Sequence, residues 1–100
     1  MDSLPTVVWL FRRVLGSADL LRAWVLATLA SLATDDEHHA RLRDTLLVFL
    51  QTGGSYKATA ERLVLHKNTV QYRIRRAEES LGRPVADHRH DVELALQATH

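Results

Sequence analysis

SYKATAERLVLHKNTVQYRIRRAEESL, residues 55–81, is the segment against which the other residues make sense. It divides into a short helical stretch, a turn of about three residues, and a longer helical stretch with a basic outer face. Two helices that cross closely need small side chains at the crossing, and Ala58 and Ala60 are placed to supply them. Leu63 and Leu65 bracket the turn and are expected to bury beneath both helices. Val70, Ile74, Ala77 and Leu81 follow at spacings of four, three and four, which is one stripe of an α-helix. At about 100° per residue, Asn68, Tyr72 and Arg75 fall near the opposite side, flanked by Thr69, Gln71 and Arg76. The pattern predicts a helix-turn-helix. Its second helix, about residues 67–81, offers amide, hydroxyl, phenol and guanidinium groups to the major groove of DNA.

Ser55, Ala58, Ala60, Leu63, the run His66-Lys67-Asn68-Thr69-Val70, Tyr72-Arg73-Ile74 and Leu81-Gly82 resemble the C-terminal helix-turn-helix of PucR-type (PucR/CdaR-like) bacterial transcription regulators. More loosely, the region is similar to the DNA-binding end of the nucleoid protein Fis. The resemblance runs over residues 45–96, and its specific part is His-[Lys/Arg]-Asn-Thr-Val-x-Tyr-Arg after an Ala-rich helix. Residues 1–33 resemble the helical lead-in of the family without a motif of their own. Such regulators usually carry this unit at the end of a longer chain. The resemblance therefore implies an upstream sensor domain that this sequence lacks, and control of a catabolic or metabolic operon.

Composition narrows the class. One hundred residues, 46% of them hydrophobic, suit one core, and four Gly, two Pro and six aromatics favour an all-α helical bundle of about six or seven helices. Without cysteine there is no disulfide framework and no thiolate metal site. No signal peptide is visible. The most apolar segment, 20–33, is short and interrupted by Arg22, so a cytoplasmic protein without membrane contact is expected. The net charge of +1 conceals an asymmetry. Residues 55–83 hold seven Lys or Arg (57, 62, 67, 73, 75, 76, 83) against three Glu (61, 78, 79), while 34–54 and 84–100 are each net acidic. Positive charge gathered on the DNA-reading unit is an electrostatic footprint. It is a modest one, which argues for a homodimer.

Along the chain, Ser3 and Pro5 open a first helix over 4–15, striped by Leu4, Val7, Val8, Phe11, Val14 and Leu15 and ended by Gly16. Trp9 and Leu10 lie off that stripe and mark either an interface or a second core contact. A second helix, 19–33, starts at Ser17 or Asp19 and forms a hairpin with the first. Residues 1–33 are thus expected to form a dimer or inter-domain contact, and 34–100 the DNA-binding domain. Thr34-x-x-Glu37 reads as a capping box starting a third helix at Asp35, which buries Leu42, Leu46, Phe49 and Leu50 and stops at Gly53-Gly54. Beyond Gly82 and Pro84, Asp87 is the expected cap of a last helix, 88–98, burying Val92, Ala95 and Leu96.

The DNA-facing set is Ser55, Lys57, His66, Lys67, Asn68, Thr69, Gln71, Tyr72, Arg73, Arg75 and Arg76. Lys67 and Thr69 sit where a helix N-terminus offers free N–H groups to a phosphate. Asn68 has the donor and acceptor for an adenine edge, and Arg75 or Arg76 can fork onto guanine or clamp a phosphate. Tyr72 suits the backbone or a thymine methyl. His66 is a cap or a phosphate contact. Arg73 lies beside the apolar stripe and either reaches a phosphate or bridges to Glu61. The bland reading of this face is a solvated helix on which Arg75 and Arg76 pair with Glu78 and Glu79. Surface pairs are worth only ~0–1 kcal/mol, too little to require the arrangement.

His38-His39 and His88-x-His90, with Asp35, Asp36, Asp87 and Asp91, are two polar helix starts and not three or four convergent metal ligands. Gly53-Gly54 lacks the Lys-Ser/Thr of a phosphate loop, and no Ser/His/acid set stands on a strand-to-helix elbow. No enzyme and no cofactor is expected. The expected function is a sequence-specific DNA-binding domain of a transcription regulator. Its rivals are a Fis-like DNA-bending protein and a helical protein-interaction module.

Overall fold

The computed structural model describes residues 17–99, all of whose regular structure is helical. Five α-helices and one 3₁₀ turn occur among them: α1 (Ser17–Leu29), the 3₁₀ turn (Ala30–Ala33), α2 (Glu37–Gln51), α3 (Tyr56–Leu63), α4 (Lys67–Leu81) and α5 (Arg89–Ala98). That is fewer than the six or seven expected. The predicted helix over 4–15, with Trp9 and Leu10, lies outside the described residues, as does its hairpin with α1.

The expected single helix over 19–33 is broken. Ala30 adopts a left-handed φ of 52°, and the chain tightens into the 3₁₀ turn. The break lets Leu29 and Leu32, both fully buried, share the core. Thr34 then acts differently from expectation. Its hydroxyl donates back to the Ser31 carbonyl at 2.6 Å, so it closes the preceding turn and does not open a capping box. Asp36 caps α2 instead, its carboxylate accepting from the His39 amide at 2.7 Å, and the helix begins at Glu37. Arg43 seals the junction by donating to the Leu32 and Thr34 carbonyls at 2.9 and 2.8 Å.

Helix α2 buries Leu42, Leu46, Phe49 and Leu50 as its periodicity predicts, together with Thr45 and Leu47. Gly53 and Gly54 follow at φ 74° and 85°, a left-handed pair that turns the chain abruptly into α3. Val70, Ile74, Ala77 and Leu81 of α4 and Val92, Ala95 and Leu96 of α5 complete one apolar cluster with Val25, Leu29 and Leu32. The start of α5 departs from expectation. Asp87 does not cap it; the Asp87 amide closes a turn onto the Pro84 carbonyl, and His88, at φ 58°, precedes Arg89 without a side-chain cap.

Candidate nucleic-acid interface

The site is built on α3 and α4, which local chemistry holds in place at both ends. Ser55 caps α3 by accepting from the Ala58 amide at 3.0 Å. At the crossing, Ala60 is buried as expected. The fully buried neighbour is Thr59 and not Ala58, its hydroxyl satisfied by the Ser55 carbonyl at 2.7 Å. Leu63 and Leu65 are half-buried. Between them Val64 stands in the left-handed conformation, φ 56° and ψ 51°, with its side chain 88% exposed. Its amide and that of Leu65 turn back to the last carbonyls of α3, the Leu65 amide reaching the Ala60 carbonyl at 2.9 Å. His66 caps α4, Nδ1 accepting from the Asn68 amide at 3.1 Å. Gly82, at φ 77°, closes the other end.

With the apolar stripe of α4 buried, its polar groups take fixed places. Lys67, Asn68, Tyr72, Arg75 and Arg76 are exposed, and Thr69 and Gln71 half-exposed. Lys57 is exposed on the first turn of α3, whereas the Ser55 hydroxyl is engaged in its cap. Lys67 and Arg75 have no ion-pair or hydrogen-bond partner among the described residues.

Arg76 differs. Its Nε donates to the Tyr72 hydroxyl at 3.1 Å, its guanidinium carbon lies 5.4 Å from the centre of the Tyr72 ring, and Nη1 meets Glu79 at 2.9 Å. The hydrogen bond to Tyr72, and then that to Glu79, holds its acidity further below that of a free guanidinium. Half of the bland pairing is therefore present, Arg76 with Glu79. Glu78 is not part of it, since its carboxylate accepts from the Val85 amide at 2.8 Å.

Arg73 corrects the expectation of a bridge to Glu61. Its Nη1 donates to the Thr45 hydroxyl of α2 at 3.2 Å. The half-buried side chain follows the α2 side of α4, where that hydroxyl is within reach, so Arg73 ties the two helices together. Thr45 was missed in the sequence, being 28 positions away with no local pattern to connect them. Glu79 was named in the sequence as a partner for Arg75 or Arg76, and the structure pairs it with Arg76, three residues away on the same helix. One histidine of each pair meets a carboxylate near a helix start: His39 Nδ1 lies 2.8 Å from Asp36, and His88 Nδ1 lies 4.0 Å from Asp91. No helix among the described residues is long and apolar enough to cross a membrane.

Two helices joined by a tight turn, the second turning a cation-rich face away from a common core, make up the DNA-binding unit of a transcription regulator. Residues 42–98 match the PucR C-terminal helix-turn-helix domain, and the chain belongs to that family. It is 38% identical over 76 residues to the purine catabolism regulatory protein of Bacillus subtilis, an overlap of 76% of this chain and 14% of that protein. It is 38% identical over 64 residues to the transcriptional activator PmfR of Paenarthrobacter nicotinovorans, covering 64% of this chain and 14% of the relative. An uncharacterized protein of Thermomonospora curvata is 41% identical over 69 residues, 69% of this chain and 38% of its own length. The chain thus spans a minor part of the curated relatives it matches. No solved structure matches it.

Proposed function

We propose that α4 is a recognition helix that enters the major groove and reads sequence, with α3 bracing it across the sugar-phosphate backbone. The observation that carries this is the outer face of α4, where Asn68 and Arg75 stand exposed opposite a fully buried stripe. Asn68 has the donor and acceptor for adenine, and Arg75 the fork for guanine. Lys67 and Thr69 at the N-terminus of α4, with Lys57 on α3, are the phosphate contacts. His66 and Ser55 position these turns through their caps, Gln71 and Tyr72 border the base-reading pair, and Arg73 fixes α4 to α2.

The domain acts as a homodimer in the bacterial cytoplasm. One unit carries only a modest positive charge, and α1 leaves Leu21 and Leu26 about half exposed beside an apolar groove of roughly 340 Å³ shared with the end of α5. Two copies on an inverted or direct repeat place their recognition helices ~34 Å apart, one duplex turn. Residues 1–33 supply the contact and 34–100 the DNA-binding part. Relatives far longer than this chain support an upstream sensor domain, and their names, a purine catabolism regulator and a transcriptional activator, support control of a metabolic operon.

The test is selection from a randomised duplex pool, followed by fluorescence anisotropy across salt. A steep salt dependence with an enriched two-half-site sequence is expected, the slope counting phosphates at ~0.9 each. Binding without any enriched sequence favours the DNA-bending reading. No binding at low salt removes the proposal and favours a protein-interaction bundle.

A further inference from the structure

We propose that Glu79 is a specificity-determining residue, which restrains Arg76 from phosphates of unmatched DNA through the Tyr72–Arg76–Glu79 chain. This rests on α4 being the recognition helix.

The position of the chain is the first argument. At 1.5 Å rise per residue, Arg76 lies about 13 Å along the axis from Lys67 and Glu79 about 18 Å. The major groove is about 12 Å wide, so a helix that leads with its N-terminal turn carries both side chains to the far rim, beside backbone phosphate. At about 100° per residue, Glu79 falls between Arg75 and Tyr72 in the middle of the exposed face. A carboxylate there opposes the DNA backbone, and no packing calls for it, since both Glu79 and Arg76 are about half exposed.

One cation of the face is selectively engaged. Lys67 and Arg75 are free of partners among the described residues, whereas Arg76 is held on two sides, Nε by the Tyr72 hydroxyl and Nη1 by Glu79. A guanidinium so fixed keeps its remaining N–H groups in one direction. It serves an acceptor that lies in that direction, and it cannot follow an arbitrary phosphate without first leaving Glu79. Matched DNA, with its register set by Asn68 and Arg75, presents an acceptor at a fixed place; random DNA does not. Glu79 therefore weakens random binding more than matched binding, which is how a repulsive element creates discrimination.

Glu79→Gln tests this by anisotropy on the selected duplex and on a random one across salt. On random DNA the affinity is expected to rise about two- to fivefold, the upper range of what one exposed ion pair is worth. The salt slope there should steepen by about 0.9. On the selected duplex, release of Arg76 is offset by loss of its orientation, and a change of less than about twofold is expected. In an Arg76→Ala background the same substitution should lose most of its effect, because the two act as a pair. Equal changes on both duplexes, no change on either, or an undiminished effect without Arg76 would each overturn the inference while leaving the recognition helix in place. If the unaltered chain binds neither duplex, the proposed function falls and this inference with it.

Discussion

Val64 offers a direct measure of how tightly the turn between α3 and α4 is specified. A β-branched residue in the left-handed region is uncommon, since its Cβ approaches the following carbonyl at a cost of roughly 1–2 kcal/mol. Val64→Gly removes that cost. Against this stand a larger backbone entropy loss, about 0.5–1 kcal/mol for Gly, and the little burial that a side chain 88% exposed gives up. The remainder is a stabilisation of about 0.5 kcal/mol, worth roughly 2–4 °C in Tm for a domain of this size. Val64→Asn keeps a Cβ, tolerates the left-handed region and avoids the glycine entropy, so it should gain more, about 1 kcal/mol. Urea unfolding followed by circular dichroism, with the m-value unchanged, measures both. DNA affinity should stay within twofold, because each replacement retains the turn. A loss of more than about 1 kcal/mol for both variants would mean that the valine is held by contacts its exposure denies, or that the turn is not left-handed.

Three further outcomes follow from the anchors of the fold. Arg75→Glu with Arg76→Glu should abolish DNA binding in an anisotropy titration while leaving the melting temperature nearly unaltered, as both side chains are exposed; normal binding would show that another face meets DNA. Thr45→Val removes the acceptor of Arg73 from a fully buried position and should cost about 1–2 kcal/mol in urea; an unchanged midpoint would deny that the contact fixes α4 on α2. Asp36 is held below its ordinary value of 3.8 by the His39 amide and then by the His39 ring, so it favours the folded state fully above that value and ceases to do so as pH falls through the lower folded one. Asp36→Asn retains the cap acceptor and should flatten that acid loss; equal loss for both chains as pH falls below 3.8 would refute the assignment.

Much of α4 was legible because its determinants are local. Four apolar positions, a His cap three residues before Thr69 and a Gly beyond Leu81 specify a helix from Lys67 to Leu81 without reference to the rest of the chain. Ser55 was legible for the same reason. The failures are those of competition and distance. Thr34 and Asp36 are both good caps two residues apart, and Thr34 is drawn back to Ser31 because the 3₁₀ turn needs closing. The turn itself exists because Leu29 and Leu32 must both enter the core, a tertiary demand that the continuous apolar pattern of 19–33 does not display. Val64 carries no glycine to announce a left-handed turn.

On the proposed reading of α4 as a recognition helix, the contact of Arg73 with Thr45 accounts for how a weakly charged domain would read sequence. Base discrimination needs side chains of α4 held to a fraction of an ångström relative to the turn of α3 proposed to meet phosphate. Caps at Ser55 and His66 secure each helix start, but they leave the roll of α4 about its axis to the packing of four modest apolar side chains. A guanidinium anchored on a fully buried hydroxyl of α2 resists that roll, and it does so from the side opposite to the exposed Arg75. Thr45 in turn donates to the Arg41 carbonyl at 2.9 Å, so its oxygen is already oriented to accept. On this argument Thr45→Val should reduce affinity for the selected duplex more than for random DNA, since phosphate attraction survives a loosened helix and base contacts do not. Anisotropy on the two duplexes, below the variant's unfolding temperature, decides it; equal losses would mean that Arg73 contributes stability alone.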